Sequence, residues 1–348
     1  MNLPEFWKGN VGDVENVLSK VKKGKIHTIC KTAGGREMKM VEYGEKYEFD
    51  RKANYSSAMG GRKKECYADK TGDNYKPCVL LLGAVHGGEF EGTVALNNFI
   101  SLIETGVDLA GNRNDELVKS IEGVHLLIVP CVNLDGRARL KLETFAGMNF
   151  EDFRYYSQGT WKDGSLCGWP GCKQVHPLKD QCDFLGGYFN DDGVNIMHDN
   201  FFKPMAEETK ALLRLADEYV PDMTIMLHGG SNCRQFFFAV DYVPNFVYNR
   251  IHELQGEVVK TCVKRGADPE QFNNRPVPRN NYHADPEPSY NICSAWTALC
   301  GEVCVTYESN QALDIPDTPV FSLEDIYKQH LVLFEATCNY VKKLNLKK

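Results

Sequence analysis

Cys78-Val-Leu-Leu-Leu-Gly-Ala-Val-His86-Gly-Gly-Glu89-Phe-Glu91-Gly92 is the stretch that decides the fold. Residues 79–85 are a short continuous apolar run, the pattern of a strand buried on both faces. His86 and Glu89 follow among glycines. Val94, Leu96, Phe99, Ile100 and Ile103 then recur at helical spacing, which predicts a helix over 93–103. A strand ending in His-x-x-Glu at a strand-to-helix turn lies at the carboxyl edge of a sheet, where open α/β folds place ligand sites. Imidazole and carboxylate suit a divalent metal such as Zn2+, and two of them in one rigid turn make half a site. The plainer reading is a surface His and a surface Glu at a strand end, with Glu91 exposed beside them.

Outward from this stretch, strands and helices alternate. Val14, Val17, Leu18 and Val21 share a face, predicting a helical extension within 1–24. Residues 25–30 and 38–43 flank the tight turn Ala33-Gly-Gly-Arg36-Glu37 and read as a hairpin. Residues 45–76 are polar and predict an exposed strand or loop. A second buried strand over 124–130 ends in Cys131-Val-Asn133-Leu-Asp135-Gly136-Arg137, and a third over 221–227 ends in His228-Gly-Gly-Ser231. Two buried strands thus deliver a histidine to the same edge. A further strand is expected over 236–240, and 301–308 is a β-branched strand ending in Glu308. Helices are predicted over 204–219, opened by Glu207 and Glu208 as the macrodipole prefers, and over 247–265 and 323–344. Residues 296–300 are a short apolar piece. The expected fold is one α/β domain over 25–348, with a mixed parallel and antiparallel sheet flanked by helices.

Residues 140–192 read as a long irregular insertion, the kind that usually forms a functional wall or lid. Within it Cys167, Cys172, His176 and Cys182 offer either a second metal site at unusual spacing or free thiols. His27, His125, His252 and His330 fall inside periodic patterns and are expected to be structural.

Composition narrows the function. With 43% apolar and 25% charged residues in 348, a sizeable core is available. The net charge of −7 without a long basic run leaves nucleic-acid binding unsupported. No run approaches bilayer-spanning length. The first residues lack the layout of a secretory signal. Several of the 13 cysteines lie in apolar runs, so a reducing, cytoplasmic setting is expected. Oligomeric state leaves no mark in the sequence.

Taken together, these residues resemble the zinc carboxypeptidases of the carboxypeptidase A/B type, with landmarks in order from about residue 25 to 345. His86-x-x-Glu89 and Leu227-His228 match that family's three zinc ligands. Pro130-x-x-Asn133-x-Asp135-Gly136 looks like its Asn-Pro-Asp-Gly segment, Gly193-Val-Asn195 like its Gly-Val-Asp run, and Val305-Thr-Tyr-Glu308 like the strand carrying its catalytic glutamate. The resemblance implies a hydrolase of peptide or amide bonds, most simply a metallocarboxypeptidase acting on peptides or acyl-amino acids. One Zn2+ per chain would be held by His86, Glu89 and His228, with Glu308 as general base. Asn133 and Asp135 would support the site or form its loop.

The chain departs from the family where an Asn-Arg pair would grip the substrate carboxylate, since it reads Met197-His198. Lys162 falls near the oxyanion arginine's place, and Arg137, Arg139 and Arg154 could substitute in either role. Tyr290, or Tyr282 if the loop is drawn differently, falls near the mobile tyrosine, and Ser294 near the position that sets side-chain preference. A zinc-dependent amidase or N-acyl amino acid deacylase, a cell-wall peptide peptidase and a non-catalytic zinc-binding protein stay open as alternatives.

Overall fold

A computed structural model describes residues 2–279 and 287–345. The strands are β1 Lys25–Lys31, β2 Glu37–Tyr43, β3 Cys78–Gly83, β4 His125–Val129, β5 Gly159–Trp161, β6 Cys182–Leu185, β7 Met223–Gly229, β8 Phe236–Phe237 and β9 Val303–Ser309. The α-helices are α1 Val11–Leu18, α2 Tyr55–Gly60, α3 Phe90–Thr105, α4 Asp115–Ser120, α5 Leu134–Arg139, α6 Phe150–Gln158, α7 Glu207–Tyr219, α8 Asn245–Arg265, α9 Ile292–Cys300 and α10 Leu323–Asn345.

Seven strands form one sheet in the order β1-β2-β4-β3-β7-β9-β8. The central four, β4-β3-β7-β9, are parallel, and antiparallel pairs close both flanks. The mixed α/β fold expected from the sequence is therefore the fold observed. Every residue of β3 and β4 is buried, as continuous apolar runs between helices require. Because the four central strands run the same way, their carboxyl ends fall on one edge, where the turns after β3 and β4 carry His86 and Asn133 and the last residues of β7 and β9 carry His228 and Glu308.

Local chemistry sets the element ends. Asn10 caps α1 in a capping box with Asp13, and Asn291 caps α9 in one with Ser294. The 296–300 piece is thus the end of a helix, with Trp296, Thr297 and Cys300 buried and Ala298 exposed. The 45–76 region contains α2 and buries Tyr67 and Lys70, so it is less exposed than its polarity suggests. The strand expected over 236–240 shrinks to Phe236–Phe237.

The insertion is more ordered than its composition suggests. It holds α6, the β5–β6 pair and a small apolar cluster of Cys167, Cys172, Leu178 and Phe189. Among the described residues no helix is long and apolar enough to cross a membrane.

Candidate metal and catalytic site

At the end of β3 the backbone turns through Ala84 at φ 43°, a left-handed conformation that costs a non-glycine residue roughly 1 kcal/mol. Gly87 then passes so close to the next turn that a Cβ on it would lie 2.2 Å from the backbone nitrogen of Arg137. Only glycine fits there. The result is a rigid turn presenting His86 and Glu89 together.

His86 Nδ1 lies 2.8 Å from Glu89 Oε1, and His228 Nδ1 lies 2.8 Å from Glu89 Oε2. The second contact lacks hydrogen-bond alignment, and Glu89 Oε2 has no hydrogen-bond partner. All three residues are buried. One ligand-capable atom from each lies within 4.8 Å of the others, and among the described residues this is the one such cluster of His, Cys, Asp or Glu. Converging nitrogen and oxygen lone pairs with an orphaned buried carboxylate oxygen are what a dication requires, and the donor set suits Zn2+.

The electrostatics agree. Burial alone would raise the Glu89 carboxyl, but the His86 and His228 imidazoles pull it down to about 2. Burial disfavours a charged His228, yet Glu89 outweighs it and raises the imidazole to about 9. His86 is lowered, chiefly by burial. The protein thus keeps a buried negative carboxylate among imidazoles.

Neighbours fix the ligands' orientation. His86 stacks on Tyr188 with ring centroids 3.5 Å apart. Its Nε2 lies 3.2 Å from Asn195 Oδ1, and the Asn195 backbone N–H donates to His176 Nε2 at 2.8 Å. Ser309 Oγ donates to the carbonyl of His228 at 3.1 Å. Glu308 lies beside the trio and is raised to about 7, mainly by burial.

A cavity of about 340 Å3 opens over His86, Glu89, His228 and Glu308, walled by Arg154 and several aromatic rings. A smaller one of about 170 Å3 shares His86, His228 and Glu308 and is lined by Lys173 and His198.

A family model for zinc carboxypeptidases matches residues 19–285. The chain belongs to the zinc carboxypeptidase family. The solved structures it resembles include a metallo-carboxypeptidase from Burkholderia cenocepacia, at 15% identity and a TM-score of 0.57, covering 96% of this chain and 68% of that one. A metallo-carboxypeptidase from Pseudomonas aeruginosa, solved with (2-guanidinoethylmercapto)succinic acid, aligns at 13% identity and a TM-score of 0.53, over 96% of this chain and 68% of that one. Carboxypeptidase A from Helicoverpa armigera aligns at 11% identity and a TM-score of 0.54, over 99% and 77%. Among curated protein sequences, none matches significantly.

Several expected residues of this zinc carboxypeptidase family member lie elsewhere. Lys162 is exposed on the β5–β6 hairpin and lines neither cavity. Arg137 is buried over the Phe90 ring, with its guanidinium donating to the carbonyls of Gly9, Leu140 and Leu142, so it braces the fold. Arg139 is likewise committed, donating to the Gly186 and Phe189 carbonyls and to Asp191. Arg154 is the arginine that reaches the site.

Tyr290 packs against Phe201 and Tyr242 and lines neither cavity, while Tyr282 lies outside the described residues. Ser294 is buried in the cap of α9, and Asn291 and Ser289 line the smaller cavity instead.

Glu91 is buried, not exposed, and burial raises its carboxyl to about 8. Asn133 caps α5, and Asp135 accepts from Thr32, Gly34 and Arg36, so both form the loop. His125 pairs with Glu42 at 2.7 Å, and His330 Nδ1 lies 2.8 Å from the Ile326 carbonyl, both structural as expected.

The second metal reading fails on geometry. Cys167 and Cys172 sit in the insertion's apolar cluster, Cys182 donates to the Lys179 carbonyl, and His176 serves Asn195. Lys173 and Tyr188 were not legible as site residues. The insertion has no periodicity to place them.

Proposed function

We propose that this chain is a zinc-dependent hydrolase of a peptide or amide bond, most simply a metallocarboxypeptidase removing a C-terminal residue. The observation that carries the reading is a single cavity lined by His86, Glu89, His228 and Glu308. A module that only bound metal would have no use for a half-buried carboxylate poised near neutrality beside the ligands.

His86, Glu89 and His228 would hold one Zn2+, which when bound supplies the Lewis acidity this chemistry needs. Glu308 takes the proton of the attacking water and passes it to the leaving nitrogen. Its carboxyl, raised to about 7, can do both near neutral pH. Arg154 offers positive charge to the oxygen on which negative charge develops. Asn195 holds the His86 ring through Nε2, which leaves Nδ1, on the side facing Glu89, to serve as the ligand atom. Tyr188, stacked on the same ring, keeps bulk water from that face.

The test is incubation of zinc-loaded protein with a mixed peptide library, part of it amidated at the carboxyl end, beside Glu308→Gln. Release of single residues from free-carboxyl peptides alone supports the carboxypeptidase reading. No cleavage of any peptide or acyl-amino acid would overturn the hydrolase reading.

A further inference from the structure

The two cavities that meet at the trio differ in chemistry. The smaller is of the size that takes a benzene-sized group (about 150 Å3). Its wall carries Lys173, whose Nζ lies 2.9 Å from His198 Nε2 and 5.3 Å from the centre of the Trp169 ring. Among the described residues no carboxylate lies within ion-pair distance of Lys173. Its partners are a neutral imidazole acceptor and an aromatic face, neither of which cancels its charge. The segment around it is fixed, with Cys172 and Leu178 buried on either side and His176 bonded to the Asn195 backbone. Lys173 is itself exposed at the mouth of this space, so its ammonium, with no carboxylate paired to it, stands where an incoming anion can meet it.

The larger cavity is walled by Phe150, Phe153, Trp169, Phe236 and Phe238. Phe150, Trp169 and Phe238 remain 48%, 57% and 46% exposed, a concentration of aromatic surface left to water beside the reacting groups. Trp169 and Phe238 line both spaces, so one ligand can reach from one to the other past Glu308.

We propose that Lys173 is the residue that receives the substrate's carboxylate, and that the preferred substrate joins a bulky apolar acyl group through an amide to one small amino acid. This deepens the hydrolase reading above and rests on it for the chemistry. Water's oxygen bonds to the acyl carbon, the C–N bond breaks, and water's proton goes to the leaving nitrogen by way of Glu308. The products are an apolar carboxylate and a free amino acid. Lys173 binds and positions, and takes no part in proton transfer.

Binding separates this proposal from turnover. Zinc-loaded Glu308→Gln protein is titrated by calorimetry with N-benzoylalanine, N-acetylalanine and the carboxamide of each. N-benzoylalanine is expected to bind at least tenfold more tightly than its carboxamide and than N-acetylalanine. Adding Lys173→Met should erase the acid-over-amide preference, while Lys173→Arg should keep most of it, with thermal unfolding unchanged in both. Equal binding of acid and amide, a preference that survives Lys173→Met, or no binding of either overturns the proposal. Turnover by the unmodified enzyme is then read on the same compounds. A Lys173-dependent preference without hydrolysis leaves the anion site standing and removes the hydrolase reading. Hydrolysis of acid and amide at equal kcat/KM does the reverse.

Discussion

Glu308 on β9 lies directly opposite His228 on β7 in the parallel ladder between these strands. Residues in register across adjacent strands share a face of the sheet, so the candidate base and a candidate ligand are held side by side by main-chain hydrogen bonds. Their relative placement owes nothing to loop conformation. Glu308 is half-buried and lies outside the cluster able to hold metal. The proton-transfer role proposed for it can therefore be tested without touching the candidate ligands.

Glu308→Gln should lower kcat about 10²- to 10⁴-fold, the range for loss of a general base. Zinc stoichiometry, measured by elemental analysis after dialysis, should stay at one per chain. Loss of zinc together with activity would instead make Glu308 part of the metal site.

Asn195 is the link between the insertion and a ligand, with its Oδ1 on His86 Nε2 and its backbone N–H on His176. Its replacement frees the imidazole to rotate. Asn195→Ala should weaken zinc affinity about 10- to 100-fold, read by competition with a chromophoric chelator. Unchanged affinity would show that the Tyr188 stack alone orients His86.

Arg154 and Lys162 carry the same charge into different surroundings. Arg154 lines the cavity over the trio, whereas Lys162 points to solvent from the β5–β6 hairpin. Arg154→Met should reduce kcat/KM about 10²- to 10³-fold, as expected on losing a donor to a developing oxyanion. Lys162→Met should leave it within about twofold, since a solvated charge outside the cavity contributes little. The opposite ranking would return the oxyanion role to Lys162.

His86, Glu89, His228 and Glu308 were legible because each ends, or nearly ends, an apolar run, and parallel strands bring such ends to one edge. What pairwise sequence patterns cannot carry is the direction of long side chains in irregular segments. Arg137 and Arg139 read as free cations but are consumed by backbone carbonyls, because the turn after β4 is packed against residues 9 and 186–189. Lys173 reads as an ordinary surface lysine. It reaches the site only because the insertion folds around Cys172, Leu178 and Phe189. Glu91 misleads for a different reason: an acidic residue in a helix's first turn normally faces water, but here α3 is buried on nearly every side.

Stability should be governed by a second buried charge cluster, beyond the start of β9. Glu302 accepts from Lys64 at 2.8 Å and Arg250 at 2.8 Å and lies 3.1 Å from Lys70, which also meets Asp222 at 3.1 Å. Burial pushes the Glu302 carboxyl up, but Lys70, Lys64 and Arg250 outweigh it and bring it to about 2. The folded state therefore holds this group ionised at pH values where the unfolded chain, titrating near 4.5, takes up a proton. Its contribution is fully present above about pH 4.5 and is lost as pH falls toward 2, with a magnitude on the order of 3 kcal/mol. Glu302→Gln leaves three cations without their shared counter-charge and should destabilise by about 3–5 kcal/mol at pH 7. Urea unfolding of both proteins from pH 7 to pH 3 checks the sign: the gap between them should be widest at pH 7 and close on acidification. A gap still undiminished at pH 3 would mean that the loss is one of packing rather than charge.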